Sequence, residues 1–494
     1  MTSTIQSERS HTLLMRPVAS ILALCLFILA SCESDSAPSG NLPKAEADWN
    51  LVILLLDALP ANGVGAWGYP RDVTPQLDLL AASGIRFESA YAGASYTLAA
   101  VSSIFTGLSP ATHRVVSLSS NVLDKQHSTL AEAFQSRGFA TGAFSSNPHI
   151  TIEGGFNQGF DEFRHYKRGR LDYHNIPEEL EADSLAWWNA HAGERRFLYV
   201  HVLPPHQPYD APEPHASLFG ADQTDREIGF TKYLVDADKA GTVVAGSALA
   251  RDIRARYDAG LHRADEFAGE FITTIKNSPG GSKTVFCILS DHGEAFAEHG
   301  RLLHGSTVFE EETHVPLILS WPRVKPAVVE EIVSTVNLAP TLCELFDLSF
   351  RGGESFLSAT TEDYVAPPVL SRSVGTQPVW SMRTQNWSFQ KQAGKNLRFL
   401  YDRRGDLGEQ VDLLAGKENW QLRGGSEELT SEELHELANS LSKKMGKALV
   451  SHRELGSRFR QSRNDTHSQE IGDLGYSDDA EPERPAKKSK RKKK

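Results

Sequence analysis

The sequence predicts an α/β fold in two parts: a mostly parallel, doubly wound sheet comes first, and a small antiparallel α+β subdomain follows it. Continuous apolar runs such as Asn50–Leu56 (NLVILLL) are typical of strands that are buried on both faces. These runs alternate with helix-like segments up to about residue 347, which indicates a parallel sheet with helices on both faces. After about residue 365, short strand-like segments separated by turns replace this pattern.

The helices of the first part have recognisable ends. Thr74-Pro75 begins one of them, because threonine favours the cap position and proline the first turn. Gly107 and Gly138 end two others. We predict the strands Asn50–Leu56, Phe139–Phe144, Arg196–Leu203, Val285–Leu289 and Val315–Trp321. The other predicted helices are Thr97–Thr106, Ser128–Arg137, Arg251–Lys276 and Leu338–Leu345.

The sequence of the C-terminal third predicts short strands that are followed by a helix. The predicted strands are Val379–Met382, Trp387–Lys391 and Leu397–Tyr401, and residues 418–463 are predicted to be helical with a charged face. From Asn464 onward the chain is polar and ends in KKSKRKKK, so we predict a disordered tail. A solvated tail is favoured, and contact with anionic lipid or polymer is the alternative.

Composition sets the scale of the protein and excludes one class of partner. Of the 494 residues, 40% are hydrophobic, which is enough for one large α/β domain and a smaller one. The net charge of −12 argues against a nucleic-acid-binding protein. Cys287 lies in a predicted strand and Cys343 in a predicted helix, so we interpret both as small core residues.

The N-terminal segment has the pattern of a bacterial lipoprotein signal. Arg9 and Arg16 form a positive region, and Ala19–Ala30 is an apolar run too short to cross a membrane comfortably. Leu29-Ala30-Ser31-Cys32 then resembles a lipobox, in which Cys32 becomes the lipidated first residue. A plain signal peptide or a membrane anchor is the alternative. We therefore expect a lipid-anchored protein of the bacterial cell envelope that faces the periplasm or the exterior, with residues 33–48 as a flexible tether.

A polar loop after the strand Val285–Leu289 carries candidate metal ligands. Asp291 and His292 follow this strand directly, and His299 and His304 lie further along the same loop. In open α/β sheets, ligands bind beyond the carboxyl ends of the strands. A carboxylate oxygen beside an imidazole nitrogen suits a divalent cation. The alternative is a surface loop that is merely rich in polar residues.

Three further segments, each at the end of a predicted strand or the start of a predicted helix, carry four candidate residues. Asp57 ends the first strand as a candidate metal ligand, with a helix cap as the alternative. Thr97 begins a helix, where the helix dipole favours an anion, and the alternative is an N-cap without further function. His201 and His206, in HVLPPHQPY, can bind an anionic oxygen or protonate a leaving group.

Together these segments resemble the sulfatase-like branch of the alkaline phosphatase superfamily over residues 48 to 415. Nine stretches occur in the order and at the spacing of that family. They are NLVILLLDAL, GYPRDVTPQLDLLAASGIRFESAYA, TLAAVSSIFTGLSPATH, FNQGFDEF, FLYVHVLPPHQPY, SDHGEAFAEHG, HVPLIL, NLAPTLCELF and FLYDRRGDLGEQVDLLA. The resemblance implies a catalytic domain over 49–350 and the antiparallel subdomain over 365–415. The residue pattern adds the signal segment 1–32, a helical extension over 416–463 and the lysine-rich tail over 464–494.

The resemblance also implies roles for individual residues. Asp57, Asp291 and His292 match metal ligands, and Thr97 falls where the family places its nucleophile, held against the metal. His206 matches the histidine that contacts the transferred group. The resemblance gives His201 an assisting role. It implies that His304 or His299 protonates the leaving-group oxygen, and that Asn147 contributes a side-chain amide contact.

The chain departs from the family pattern at the nucleophile. A sulfatase has Cys or Ser in a Cys/Ser-x-Pro-x-Arg motif, and that residue is oxidised to formylglycine. Here Thr97, Ala99 and Val101 occupy the three motif positions, so no formylglycine is expected. The family's frequent second aspartate is Ala58, which weakens a calcium site, and a histidine-containing ligand set favours one zinc or manganese ion. The family's arginine after Asp-Ala-Leu is Pro60.

These departures favour phosphoryl over sulfuryl transfer. We predict a metal-dependent hydrolase of a phosphodiester or phosphonate ester, or a phosphoryl-head-group transferase, with Thr97 as nucleophile and a lipid or glycan carrying the ester. A sulfate ester hydrolase without formylglycine is the first alternative. The second is a catalytically weak envelope lipoprotein that binds a glycan or phospholipid head group.

Overall fold

The structure is a computed structural model. It describes residues 44–116, 121–166, 178–361, 363–416, 419–421 and 428–456. The predicted signal segment 1–32, most of the tether 33–48 and the tail 464–494 lie outside the described residues, so lipidation at Cys32 stays a prediction. Among the described helices, none combines the length and the apolar character needed to cross a membrane.

The described strands are numbered in chain order. They are β1 Asn50–Asp57, β2 Ile85–Phe87, β3 Ala90–Tyr91, β4 Ala140–Ser145, β5 Glu162–His165, β6 Arg196–Pro205, β7 Thr284–Leu289, β8 Ala295–Phe296, β9 Leu302–Leu303, β10 Leu317–Ser320, β11 Ala327–Val329, β12 Val333–Ser334, β13 Val369–Arg372, β14 Val379–Arg383, β15 Trp387–Gln392, β16 Arg398–Asp402, β17 Asn419–Gln421 and β18 Glu428–Thr430.

The described α-helices are numbered in the same way. They are α1 Pro75–Ser83, α2 Thr97–Thr106, α3 Pro110–His113, α4 Leu130–Gln135, α5 Glu178–Ala190, α6 Thr231–Ala240, α7 Ala248–Asn277, α8 Glu310–Thr313, α9 Leu338–Leu345 and α10 Ser431–Gly456. The predicted helix 128–137 is shorter than expected. A capping box between Thr129 and Glu132 sets its beginning, and Gly138, with φ +78°, follows its end.

An eight-stranded sheet forms the centre of the first part, as predicted. Its strand order is β11-β2-β10-β7-β1-β6-β4-β5. β1 pairs in parallel with β6 and β7, and β4 pairs in parallel with β6 and β5. β10 is the exception, because it is antiparallel to both of its neighbours. The carboxyl ends of the four central parallel strands therefore meet at one edge.

β1 is buried on both faces because its side chains alternate between two cores. Leu51, Ile53 and Leu55 pack in the core that contains the apolar residues of α2 and α9. The intervening residues, among them Val52 and Leu54, pack in the core that contains the apolar residues of α7. This alternation explains why the sequence of β1 is a continuous apolar run.

The second part contains the predicted antiparallel sheet, with the strand order β13-β14-β15-β16. The predicted helix 418–463 is wrong in its first third, because residues 419–421 and 428–430 form a pair of antiparallel strands. Helix α10 begins only at Ser431. The Thr430 hydroxyl accepts from the Glu433 N–H, and the Glu433 carboxylate accepts from the Thr430 N–H, so a capping box fixes this start.

Buried charges join the two parts. Arg383 of β14 is fully buried and donates from Nη2 to Glu409 Oε1 at 2.8 Å and to the Val308 carbonyl at 2.7 Å. Tyr91 of β3 donates its hydroxyl to Glu310 Oε1 at 2.7 Å and accepts from Arg403 at 2.7 Å. Removing one partner of such a pair leaves an uncompensated buried charge, so the network fixes how the small sheet packs against the segment 305–313.

Asp265 of α7 caps helix α1 from a neighbouring element. Its carboxylate accepts from the backbone N–H groups of Gln76 at 2.9 Å and Leu77 at 2.8 Å. Thr74 is the N-cap residue, as expected, but its hydroxyl accepts from the Gly65 N–H and makes no capping hydrogen bond to α1. The first N–H groups of α1 therefore depend on a residue almost 190 positions away in the sequence.

We expect Asp265→Ala to lower the free energy of unfolding by about 1–3 kcal/mol, because two buried N–H groups lose their acceptor. Asp265→Asn keeps one acceptor oxygen and should lose less. Glu270→Ala, at an exposed position of the same helix, is the control and should leave stability nearly unchanged. Chemical denaturation measures all three variants, and an Asp265→Ala protein as stable as Glu270→Ala would contradict the capping role.

Candidate active site and metal centre

The polar residues predicted for the site come together at the carboxyl edge of the sheet. Asp57 is the last residue of β1, and Asn147 follows β4. His201 of β6 pairs in register with Leu55 of β1, and Leu55 pairs on its other side with the last residue of β7. Asp291 follows two residues later. The parallel arrangement thus gathers side chains that are up to 234 residues apart.

Asp57 is fully buried and only half of its carboxylate is satisfied. Oδ2 accepts from His201 Nε2 at 3.0 Å and from Asn147 Nδ2, whereas Oδ1 has no hydrogen-bond partner among the described residues. The Tyr199 hydroxyl lies 3.0 Å from His201 Nδ1 and fixes the ring. Burial acts to raise the pKa of Asp57, but the hydrogen bond from His201 and the nearby imidazoles outweigh it and lower the pKa well below its usual range.

Asp291 and His292 face Asp57 from the loop after β7. Asp291 Oδ1 accepts from the backbone N–H of His292 at 3.0 Å, and its buried Oδ2 has no hydrogen-bond partner among the described residues. His292 Nδ1 donates to the Gly293 carbonyl at 2.8 Å, which leaves the Nε2 lone pair free to bind a cation. Nε2 lies 3.4 Å from Asp291 Oδ2 and 3.7 Å from Asp57 Oδ1.

Ala58, at the position of the family's second aspartate, contributes its backbone instead of a side chain. It adopts a left-handed conformation with φ +56°, which is costly for a residue other than glycine. In this conformation its N–H donates to Asp291 Oδ1 at 3.3 Å, and its carbonyl accepts from the Tyr257 hydroxyl at 2.8 Å. The strained backbone thus holds Asp291 in place.

The cluster fits a divalent cation. Asp57, His201 and Asp291 each present a ligand atom, and these three atoms lie within 4.8 Å of one another. Two buried carboxylates at this distance repel each other unless a positive charge lies between them. Each has one oxygen without a hydrogen bond, which is the atom a metal ion would take. His201, which the sequence suggested as an assisting group, lies beside the two carboxylates, and its Nε2 donates to Asp57 Oδ2.

Thr97 is the first residue of α2 and only 3% exposed. Its hydroxyl lies 3.1 Å from His292 Nε2. Tyr96 is the N-cap, and its side chain makes no capping hydrogen bond. The hydroxyl is therefore directed at the metal cluster, at the positive end of a helix dipole, and the N-cap alternative is wrong.

His206 and His304 lie next to this cluster, and Glu294 lies behind His304. The ring centroid of His304 is 4.1 Å from that of His292 and 4.9 Å from that of His206. His206 Nδ1 donates to the Gln207 carbonyl at 2.7 Å, and burial lowers the pKa of His206. His304 Nδ1 lies 2.8 Å from Glu294 Oε1.

Burial shifts the pKa values of Glu294 and His304 in opposite directions. It raises the pKa of Glu294 to about 7, and together with the neighbouring His292 it lowers the pKa of His304 to about 3. Glu294 also makes a side-chain hydrogen bond with Tyr209, which acts to lower the pKa of Glu294.

His299, the alternative to His304 in our prediction, is committed elsewhere. Its Nδ1 donates to Glu311 Oε1 at 2.8 Å and its Nε2 donates to the Glu409 carbonyl at 2.9 Å. The ring also stacks on Phe309, with centroids 3.7 Å apart. Both nitrogens are thus occupied in a contact with the C-terminal part, which leaves His304 as the candidate proton donor of the two.

The His299–Glu311 pair should make stability depend on pH. Burial of the imidazole opposes its charge, but the hydrogen bond and the charge of Glu311 outweigh this effect and raise the pKa to about 9 from 6.5. A raised folded-state pKa gives stability that is fully present below the unfolded-state value. It is lost as the pH rises through the folded-state value, so the window is pH 6.5 to about 9.

We expect His299→Gln to remove about 2–3 kcal/mol of this pH-dependent stability, since one pKa unit corresponds to about 1.4 kcal/mol. The measurement is the free energy of unfolding of parent and variant at several pH values across the window. The difference between the two proteins isolates His299 from other titrating groups. A difference that stays constant from pH 6 to 9.5 would contradict the assignment.

Sequence reasoning missed two residues, Glu294 and Tyr199, whose side chains hydrogen-bond predicted site histidines. Glu294 follows Asp291 and His292 in the motif SDHGE, and its place in that motif was the available signal. Tyr199 lies two residues before His201 on the same strand, and therefore on the same face, but tyrosine in a buried strand is ordinarily a core residue. Asn147, named from the resemblance, donates directly to Asp57.

Comparisons with known proteins find arylsulfatases and structures of the same fold. An arylsulfatase of Clostridium perfringens is 24% identical over 372 residues, which cover 63% of this chain and 77% of that protein. The match to an arylsulfatase of Hemicentrotus pulcherrimus covers less of that protein, 58% of its length. Among solved structures, a 2-O GAG sulfatase has a TM-score of 0.65 at 18% identity and covers 85% of this chain and 96% of its own.

A phosphonate monoester hydrolase of Agrobacterium radiobacter has the same fold, with a TM-score of 0.63 at 19% identity over 82% of this chain and 96% of its own. Likeness at this identity concerns the fold and not the substrate. The family model described as Sulfatase matches residues 49–348, which contain the whole cluster from Asp57 to His304. This chain belongs to the sulfatase family.

Proposed function

We propose that this protein is a metal-dependent hydrolase of phosphodiesters or phosphonate esters that uses Thr97 as its nucleophile. The observation that carries the proposal is the position of the Thr97 hydroxyl, 3.1 Å from His292 Nε2 at the start of a buried helix. Threonine is a secondary alcohol, so its oxidation would give a ketone and cannot give the aldehyde of formylglycine. A plain hydroxyl must therefore attack the substrate, as in the phosphoryl-transferring members of the superfamily.

The residues that would hold the metal are Asp57, Asp291 and His292, with His201 beside them. A set of carboxylate and imidazole donors favours zinc or manganese over calcium, which prefers six to eight oxygen ligands. A divalent cation held there would lower the pKa of the Thr97 hydroxyl and attract the non-bridging oxygens of the ester.

The side chains of this chain divide the remaining tasks. Thr97 Oγ1 loses its proton to solvent and attacks phosphorus, and the bond from phosphorus to the leaving alcohol breaks on the opposite side. His206 faces the transferred group, and it donates to the equatorial oxygens only after it takes up a proton on Nε2, because Nδ1 already donates to the Gln207 carbonyl. His304 protonates the leaving oxygen and takes a proton back from the water or acceptor alcohol that releases the group from Thr97.

The test is a comparison of four aryl esters on one purified sample loaded with Zn²⁺ or Mn²⁺. The esters are a phosphodiester, a phosphonate monoester, a phosphomonoester and a sulfate ester of the same phenol, so the leaving group is constant. We expect the phosphodiester and the phosphonate to have the highest kcat/KM. Turnover of the sulfate ester alone would overturn the choice of substrate class while leaving the site in place.

Sulfate ester hydrolysis is the second candidate, because curated relatives of this chain are arylsulfatases. It would have to proceed through the Thr97 oxygen without formylglycine. The same four esters decide between the two, since a preference of more than about tenfold is readily measured and corresponds to about 1.4 kcal/mol in transition-state stabilisation.

We also propose that the enzyme works as a lipid-anchored protein of the cell envelope and acts on an ester carried by a glycan or lipid. The charged and apolar regions before Cys32 support the anchor. Palmitate labelling in cells tests it, because the label should be lost in Cys32→Ser. Equal labelling of both proteins would contradict lipidation at Cys32.

A further inference from the structure

Arg372, the last residue of β13 in the antiparallel sheet, is a buried arginine whose hydrogen-bond partners are neutral. It is 7% exposed, and among the described residues it makes no ion pair with a carboxylate. Its guanidinium donates from Nη1 to the Tyr96 hydroxyl at 2.7 Å and from Nη2 to the Gly375 carbonyl at 2.8 Å. Burying a charge among neutral acceptors costs free energy that an apolar side chain would avoid. The cost indicates a task beyond holding the sheet together.

The two residues directly before the nucleophile are both held by Arg372. Tyr96 is the N-cap of α2, and its hydroxyl accepts from Arg372 and donates to the Val116 carbonyl at 3.1 Å. The Ser95 N–H donates to the Arg372 carbonyl at 3.0 Å. Because Thr97 is the next residue along the chain, these hydrogen bonds set where the first turn of α2 begins and where the Thr97 hydroxyl points.

The segment after β13 also contacts the loop that carries His304. The Val374 N–H donates to the Gly305 carbonyl at 2.7 Å. Gly305 directly follows His304 and packs closely on the chain before the nucleophile. A Cβ added to Gly305 would lie 3.8 Å from the Ser95 carbonyl oxygen and 3.8 Å from Tyr96 Cβ. The end of β13 therefore contacts both the segment before the nucleophile and the loop after the candidate proton donor.

We propose that Arg372 is a positioning residue for the nucleophile: it holds Ser95 and Tyr96 so that the Thr97 hydroxyl points at the metal cluster. This inference rests on the proposed function and deepens it, because it gives the antiparallel sheet a task in the reaction. Arg372 pairs in register with Trp380 of β14, and its guanidinium lies over that ring at 6.0 Å from the centroid. The sheet thus fixes the direction of the side chain that reaches Tyr96.

Arg372→Met keeps a long side chain and removes its hydrogen-bond donors. We expect it to lower kcat/KM for the aryl phosphodiester by about a hundredfold, because a misplacement of about 1 Å can cost that much. The inhibition constant of inorganic phosphate and the content of bound metal should stay parental, since the metal ligands are unchanged. Arg372→Lys keeps one charged donor for Tyr96 and should lose less activity. Arg398→Met, at an arginine of the same sheet that donates to Asn439, is the control and should have parental kcat/KM.

Tyr96→Phe tests the same link from the other side. It removes the hydroxyl that accepts from Arg372 and keeps the aromatic ring in the core. If Arg372 acts through this hydroxyl, Tyr96→Phe should also slow the reaction, and the double variant should be no slower than Arg372→Met. Chemical denaturation checks that each variant is folded under the assay conditions, and Tyr96→Phe provides the test if Arg372→Met does not fold.

The experiment measures kcat/KM, the inhibition constant of inorganic phosphate and the bound metal for the parent and these variants. A loss of kcat/KM in Arg372→Met and Tyr96→Phe, with phosphate inhibition and metal content unchanged, supports the positioning role. Parental kcat/KM in folded Tyr96→Phe, additive effects in the double variant, or a parallel loss of phosphate and metal binding would overturn it. A parent that turns over none of the esters would instead overturn the proposed function, and the inference with it.

Discussion

Replacing Thr97 by alanine should lower kcat/KM for the aryl phosphodiester by about a thousandfold or more, since loss of a nucleophile commonly removes 4 kcal/mol or more of transition-state stabilisation. The hydroxyl that the change removes is the one 3.1 Å from His292 Nε2. Initial rates at saturating metal measure the effect. Thr97→Ala with parental activity would contradict the assignment.

Thr97→Ser is the matched control, because it keeps the hydroxyl and loses one methyl group. We expect it to retain activity to within about tenfold, a change typical of altered positioning rather than lost chemistry. Neither variant should unfold the protein, since the Thr97 side chain caps no helix and alanine is well tolerated in a first helical turn. Thermal unfolding of the three proteins checks that the loss lies in the chemistry.

Replacing Asp291 by asparagine should abolish tight metal binding and turnover together. The carboxylate offers Oδ2 to the cluster, and the amide that replaces it has no charge to neutralise the cation. We expect metal affinity to fall by at least about a hundredfold, because changes even outside the ligand shell cost 10–100-fold. Elemental analysis after dialysis should find about one Zn²⁺ or Mn²⁺ in the parent and none in the variant.

Stability gives an independent measure of the same site. At a free metal concentration one hundred times the Kd, bound metal should stabilise the parent by about 2.7 kcal/mol, and Asp291→Asn should gain nothing. Glu270→Gln, at an exposed carboxylate outside the cluster, is the control and should respond to metal as the parent does. A metal-dependent rise in Tm that survives Asp291→Asn would mean that the ion binds elsewhere.

The sequence predicts the elements whose signal is local. Helix α2 has the predicted bounds Thr97–Thr106, because Gly107 at φ +66° ends it and its apolar side chains are buried in the core. β1 is recognisable because both of its faces are apolar. α5 and α6 were not predicted, since their residues are mixed in polarity, and β2, with three residues, is too short to show a period.

The residues of the candidate site also divide into those with a local sequence signal and those whose partners lie far away in the sequence. Asp57, Thr97, Asp291 and His292 were found because family motifs surround them, and the sheet brings them together. The distinction between His304 and His299 was beyond the sequence, because it depends on Glu409, 110 residues away, whose carbonyl accepts from His299. The partnership of Glu294 with His304 likewise depends on how the loop folds back over ten residues.

The most direct test of Thr97 as nucleophile is to trap the group that it carries. The metal-loaded enzyme is quenched in acid during turnover of an aryl phosphonate monoester, and its peptides are analysed by mass spectrometry. We expect a phosphonyl group on the peptide that contains Thr97, and none on the same peptide of Thr97→Ala. An adduct on another residue, or full turnover by a protein that lacks the Thr97 hydroxyl, would contradict the proposed reaction.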